Sequence, residues 1–277
     1  MMRWISLMIG LTALALGDVL AHDIPPQRIV SLGGSVTEII FALDQQHRLA
    51  GVDQSSVYPN QAQALPSVGY YRSLPIEGIL QLKPDLVIAS EQAGPPHSLS
   101  QLSRLGVKVE RVSDHPEVDS LYKRIEQVAT LLGVPDRGKM LKDALEHEIA
   151  HSYQHSAEQA SVMMIVMRSG KLLGAGKKTA AAKIIELSAL DNVLNDMHGY
   201  QQISAEIVSA RLPNALIVTS SSVQALGGIS SVREHPALRH IPAVENGRLI
   251  ELDDLLAQGL GLRLPQAIQT IRQGARE

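Results

Sequence analysis

Six tyrosines in 277 residues make the run Val68-Gly69-Tyr70-Tyr71-Arg72 conspicuous, because two of the six stand together with an arginine directly after them. Adjacent phenols with a guanidinium two positions beyond the first, in a loop between strand and helix, have the chemistry to bind ferric iron through a phenolate. The same residues also suit a tyrosine packed on the surface with its arginine paired to an acidic neighbour. The sequence alone leaves both readings open.

Two other motifs invite chemistry and resist it. His147-Glu148-Ile149-Ala150-His151 matches the pattern in which two histidines one helical turn apart hold zinc and the glutamate activates water. However, Leu141, Leu145 and Ile149 form the apolar stripe of that helix, and at about 100° per residue both histidines fall on the far side, facing water. His155 follows them on the next turn. A catalytic zinc needs a closed cleft and a third protein ligand, for which only Glu158 or Glu186 offers itself. A solvated helix face is expected, and a secreted zinc hydrolase is the rival of a different class. Gly174-Ala175-Gly176-Lys177-Lys178-Thr179 resembles a nucleotide loop but breaks its spacing, with Lys178 where Ser or Thr belongs and Thr179 where the dinucleotide pattern needs glycine. The expectation is a Gly-rich turn capping a helix from Ala180 onward, able to meet an anion through free helix N–H groups and Lys177 or Lys178. No ATP or NAD site is expected.

The elements that must position these residues read as α/β. Arg28–Leu32 is a short buried strand, and Ser35 followed by Glu38 forms a capping box that predicts a helix starting at Ser35 and running through Ile39, Ile40 and Leu43. Leu86–Ala89 and Val107–Val109 are further apolar runs, so parallel strands covered by helices on both faces are expected. Ser161–Arg168 is another strand, with Met163, Ile165 and Met167 on one face and Val162, Met164 and Val166 on the other.

The chain also repeats itself. Glu77 to Ile88 (EGILQLKPDLVI) aligns with Glu206 to Ile217 (EIVSARLPNALI), matching at Glu, at Pro and along the apolar run, and Gly69-Tyr70 and Gly199-Tyr200 precede the two copies. Each copy reads as a short helix, a turn at Pro and a core strand, one per lobe. Between them, Val118, Leu121, Ile125, Val128 and Leu132 recur at helical spacing, Gly133-Val134-Pro135 breaks the pattern, and Leu141, Leu145 and Ile149 start a second stripe. Two lobes, residues 22–116 and 157–277, joined by a helical region at 117–156, with a ligand cleft between them, is the expected organisation.

Composition narrows the function. A formal charge of -3 from 25 basic and 28 acidic residues argues against a nucleic-acid partner. Absence of cysteine excludes disulfides, thiolate zinc, iron–sulfur clusters and a lipid-modified cysteine. Arg3 ahead of an apolar stretch from Trp4 to Leu16, with Val19-Leu20-Ala21 after it, is the pattern of a secretory signal. Cleavage after Ala21 and export as a soluble monomer are expected, the alternative being an uncleaved anchor.

These residues together resemble a family. The opening RIVSLGGSVTEIIFAL, the LKPDLVIA segment and two lobes joined by helix are similar to the periplasmic substrate-binding proteins of ABC importers for cobalamin, siderophores and haem. VGYYRSLPIEGILQLKPDL, GAGKKTAAAKIIELSALDNVL, GYQQISAE and LDDLLAQGLGLR resemble the haem-binding branch. The resemblance covers nearly the whole mature chain. It implies two Rossmann-like lobes, the class III periplasmic binding protein fold. It also implies a non-enzymatic carrier in a Gram-negative periplasm that passes haem b to a permease dimer and its ATPase, with an outer-membrane haem receptor upstream.

By the same resemblance Tyr70 is the axial ligand of ferric haem and Arg72 partners a propionate or the phenolate. Ionising a tyrosine of pKa about 10 at pH 7 costs roughly 4 kcal/mol, which iron and a guanidinium must offset. Related proteins often carry a histidine at the end of the strand matching Ser161–Arg168, where this chain has Met167 and Arg168. Met167 is therefore a candidate second ligand or a porphyrin-packing residue, packing being favoured because thioether suits ferric phenolate haem poorly. His198 is its rival, a five-coordinate site and a second stacked haem stay open, and Tyr71, Lys177 and Arg168 are candidate pocket residues. Glu77 and Glu206 would dock, one per lobe, onto arginines of the permease. The same fold binding a ferric siderophore or cobalamin is the nearest alternative.

Overall fold

The computed structural model describes residues 25–152 and 160–276, so the expected signal segment, His155 and Glu158 lie outside the described residues. The first part of the chain alternates strands and helices: β1 (Ile29–Leu32), α1 (Gly34–Ala42), β2 (Leu49–Val52), α2 (Ile76–Gln81), β3 (Leu86–Ser90), α3 (Pro96–Arg104) and β4 (Lys108–Val112). Its sheet is parallel throughout in the order β2-β1-β3-β4. Every residue of β1 and β3 is buried, as a parallel sheet covered on both faces requires.

Two long helices follow, α4 (Val118–Leu131) and α5 (Pro135–Ser152), set by the two apolar stripes. The remaining chain forms β5 (Ser161–Arg168), β6 (Lys171–Ala175), α6 (Ala180–Leu187), β7 (Asp191–Asn192), β8 (Tyr200–Gln202), α7 (Ala205–Arg211), β9 (Ala215–Thr219), α8 (Ser220–Leu226), α9 (Ile229–Glu234), α10 (Pro242–Glu245), β10 (Leu249–Leu252), α11 (Asp254–Gln258) and α12 (Leu264–Gly274). The second sheet runs β10-β9-β5-β6-β8, with β7 beside β5. It is mixed rather than wholly parallel, because β6 turns back antiparallel on β5. Ser169 and Gly170 carry φ of 50° and 72°, and a two-residue turn with both residues left-handed is the hairpin-forming kind.

One apolar cluster joins the two sheets. Ile39 and Ile40 of α1, Leu121 and Ile125 of α4, Ile149 of α5, Met164 of β5 and Ile268 of α12 all belong to it. Each large side chain so buried contributes roughly 1.5–3 kcal/mol. The two halves therefore share a core through their connecting helices.

The start of α1 differs from the capping box read in the sequence. The helix begins at Gly34 with Gly33 as N-cap, and neither Ser35 nor Glu38 caps it. The N–H of Gly33 donates to Asp53 at 2.8 Å and that of Gly34 to the Ser55 hydroxyl at 2.9 Å. Residues following β2 have taken the capping role, which frees Glu38 to turn inward, where it accepts from Arg263 Nε at 2.8 Å.

Candidate functional site

A cavity of about 750 Å³ opens between the two sheets, within the roughly 300–1,000 Å³ typical of small-molecule sites. Its walls are the segments that follow the carboxyl ends of the strands, the usual binding edge of α/β sheets. Gly33 follows β1, Gln54 follows β2, Gln92 follows β3 and Asp114 follows β4. From the second sheet, Ser220 follows β9 and Asp253 follows β10.

The Tyr70 loop forms part of the first wall. Gly69 has φ of 90°, and a Cβ there would come within 2.9 Å of Pro75, so only glycine turns the chain this way. Tyr70 is 43% exposed and lines the cavity. Its ring meets Tyr71 edge-to-face at 5.2 Å. Arg72 Nε donates to the Tyr71 hydroxyl at 2.8 Å, and its guanidinium lies 5.2 Å from that ring. Arg72 thus partners Tyr71 rather than Tyr70. Burial raises the Tyr71 pKa despite the neighbouring cation, so Tyr71 keeps its proton and its place in the wall.

The second wall presents a matching tyrosine. Gly199, with φ of 67°, turns Tyr200 into the cavity as Gly69 does for Tyr70. The Tyr200 hydroxyl is buried and has no hydrogen-bond partner among the described residues. Burial pushes its pKa up to about 12, against the lowering pull of Arg168 and Arg72. The Arg168 guanidinium lies 5.6 Å from the Tyr200 ring, so each wall carries an arginine stacked on a tyrosine. Tyr200 was not singled out as a site residue by the sequence, although the repeated Gly-Tyr pair was its signal.

Other expected residues sit elsewhere. Met167 is absent from the cavity wall and packs against the cluster of Met163, Ile165 and Leu172. Strand alternation, which put it with Met163 and Ile165, turns that face away from the cleft. His198 is exposed and also off the wall, with its backbone bridged to Lys177. Of the two lysines, Lys178 lines the cavity and Lys177 does not. His115 lines it too, its Nε2 within 3.2 Å of Glu91; nothing local in the sequence marked it. Glu77 and Glu206 are exposed in the first turns of α2 and α7, the equivalent helices of the repeat. His147, Glu148 and His151 lie on the exposed face of α5, and no cluster of three metal-ligating side chains occurs among the described residues.

The carboxylates on the walls are already engaged. Asp114 meets Arg124 at 2.7 Å and accepts from Ser90 at 2.5 Å. Asp253 accepts from the N–H groups of Leu255 and Leu256 and from Arg263. Asp254 accepts from the N–H and hydroxyl of Ser221. Arg72, Arg168 and Lys178 have no acidic partner among the described residues, so the charge offered to a ligand is positive.

Two α/β lobes joined by helices, with a cleft walled from both, define a solute-binding protein. Residues 29–256 match the periplasmic binding protein family, and the chain belongs to it. Its architecture is the class III fold of the substrate-binding proteins of ABC transporters, which work outside the cytoplasm with a membrane permease and its ATPase. The periplasmic haem-binding protein RhuT of Roseiflexus sp. RS-1, in its apo form, is similar at 35% identity and a TM-score of 0.86, over 90% of this chain and 99% of that one. The periplasmic haem-binding protein BhuT, in complex with two haems, is similar at 31% identity and a TM-score of 0.83, over 90% and 97%. The vitamin B12-binding protein of Pectobacterium atrosepticum is 27% identical over 71% of this chain and 73% of its own.

Proposed function

We propose that the protein captures ferric haem in this cleft and delivers it to an inner-membrane ABC permease from the Gram-negative periplasm. The observation that carries the reading is the exposed Tyr70 phenol facing a cavity whose uncompensated charges are Arg72, Arg168 and Lys178. A ferric ion favours the phenolate form of Tyr70, and the cations suit the carboxylates at the porphyrin edge. Arg72 spends its Nε on Tyr71, which leaves its terminal nitrogens for a carboxylate. Met167 and His198 do not line the cavity, so Tyr200 is the phenol available on the second wall. The similarity to haem-binding RhuT and BhuT supports this cargo. Glu77 and Glu206, one per lobe, are the docking residues.

The second reading keeps the fold and changes the cargo to cobalamin or a ferric siderophore. The similarity to a vitamin B12-binding protein favours it, as do the amide side chains of Gln54, Gln92, Gln224 and Gln258 on the walls.

Titration of residues 22–277 with haemin, beside Tyr70→Ala and beside cyanocobalamin, separates these readings. Saturable haemin binding with a ferric–phenolate charge-transfer band, lost in Tyr70→Ala, is the expected result. Saturable binding of cyanocobalamin without specific haemin binding overturns it.

A further inference from the structure

Helix α5 carries a pair of side chains that the cleft does not use. His147 and His151 stand one turn apart on its exposed face, opposite Leu145 and Ile149, which are buried in the core shared by both halves. Their ring centroids are 4.2 Å apart with the planes tilted by 38°. The two imidazoles therefore stand side by side rather than splaying into water. His151 Nδ1 lies 3.1 Å from His147 O. A carbonyl only accepts, so Nδ1 carries the proton and Nε2 keeps its lone pair. A metal-ligating histidine is commonly oriented in this way, its second ring nitrogen donating to a backbone carbonyl or a carboxylate. The His147 ring makes no hydrogen bond or ion pair among the described residues, so both of its nitrogens are unspent.

The local charge suits a cation. Glu146 and Glu148 flank His147, and residues 146–152 include no lysine or arginine. The lysines earlier on α5 are spent, Lys139 on Asp143 at 2.6 Å and Lys142 on Glu126 at 2.5 Å. Arg272 of α12 reaches this end of the helix, but it is buried and donates to Ser152 O. Two histidines four residues apart on one helical face are the spacing that holds a metal ion. Imidazole nitrogen suits zinc, nickel and copper(II), whereas magnesium and calcium prefer oxygen.

We infer that His147 and His151 form a two-histidine site for a borderline divalent transition-metal ion on the outer face of α5, outside the cargo cleft. Two protein ligands leave the other coordination positions to water. The site thus holds an ion without the third ligand and closed pocket that zinc hydrolysis needs. Bound there, the ion clamps one turn of the helix whose opposite face lies in the shared core. The inference is independent of the cargo.

Zinc chloride titration of residues 22–277, free of any histidine tag, tests it beside His147→Ala, His151→Ala, the double variant and His47→Ala, an exposed histidine elsewhere. The parent should bind zinc saturably and each single variant at least about tenfold more weakly. The double variant should be no weaker than either single one, because losing one ring already destroys the chelate. His47→Ala should match the parent, magnesium should not bind, and haemin affinity should be the same in all. Zinc should raise the parent's melting temperature and raise that of each single variant less, while all should melt alike without zinc because these histidines are exposed. Undiminished zinc binding in either single variant, losses that add in the double variant, or no saturable zinc binding by the parent each overturns the site. None of these results touches the haem reading, which the haemin titration decides separately.

Discussion

Arg124 of α4 donates to the backbone carbonyl of Leu260 at 2.9 Å, so a side chain of the connecting region holds the second half of the chain at the cavity floor. Its Nε donates to Ser113 O at 2.6 Å and its other terminal nitrogen lies 2.7 Å from Asp114. Arg124 is fully buried and Asp114 partly exposed, and burial lowers the arginine's pKa against the pull of its acidic neighbours. One guanidinium thus ties both walls of the cleft to the helix between them.

Removing it should be costly, because an acid and two carbonyls lose their partner together. Arg124→Met is expected to destabilise toward the low end of about 3–5 kcal/mol, the partial exposure of Asp114 moderating the loss. Urea unfolding measures it. A midpoint equal to the parent's would mean that the tie contributes nothing.

Glu38 gives a pH dependence with a definite sign. Its carboxyl is raised from 4.5 because burial outweighs the attraction of Arg263. A raised acid holds its proton more tightly in the folded chain than in the unfolded one. Its stabilising contribution is therefore fully present below 4.5 and is lost as pH rises through the folded value. Glu38→Gln removes the ionisation and keeps the shape, so its urea midpoints should vary less across that window. Parallel curves for parent and variant would contradict the assignment.

Tyr200 should be visible in an alkaline titration. Its phenol ionises near 12 in the folded protein, because of burial, against 10.0 for an ordinary tyrosine. Followed by near-ultraviolet phenolate absorbance, Tyr200→Phe should lack one of the parent's late-ionising phenols, that of the buried Tyr71 remaining. The sign again follows from the raised value: this group's stabilisation is complete below 10 and lost as pH climbs toward 12. Losing only an early-ionising phenol in the variant would place the Tyr200 hydroxyl in water.

These tests fall on residues that the sequence marks unevenly, for physical reasons. Strands, long helices and the repeat were legible because burial period and turn residues are local signals, whereas the place of Tyr70 and Arg72 in the cleft was what the family resemblance implied. The cap of α1 was not, because Asp53 and Ser55 reach it from beyond β2 and displace the local Ser35–Glu38 pairing. Met167 illustrates a partial reading: alternation placed it correctly beside Met163 and Ile165, yet only the packed sheet shows that this face looks away from the cleft. Lys177 and Lys178 differ by one position in a turn where Lys178 takes the left-handed conformation, with φ of 60°. No sequence period resolves that choice.

Docking makes the last prediction. Glu77 and Glu206 stand exposed in the first turns of equivalent helices, outside the cavity wall. Ser204 hydrogen-bonds the Glu206 carboxylate and holds its pKa below the usual value, so it is charged at neutral pH. If both meet arginines of a permease, charge reversal at either should leave haemin affinity unchanged, since neither touches the cargo. Stimulation of the transporter's ATPase by the loaded protein should fall with each single change, Glu77→Lys or Glu206→Lys, and further with both. Reconstituted transporter in vesicles gives the readout. Full stimulation by the doubly reversed protein would remove these two residues from the interface, and a matching loss of haemin affinity would mean that the cleft itself had been disturbed.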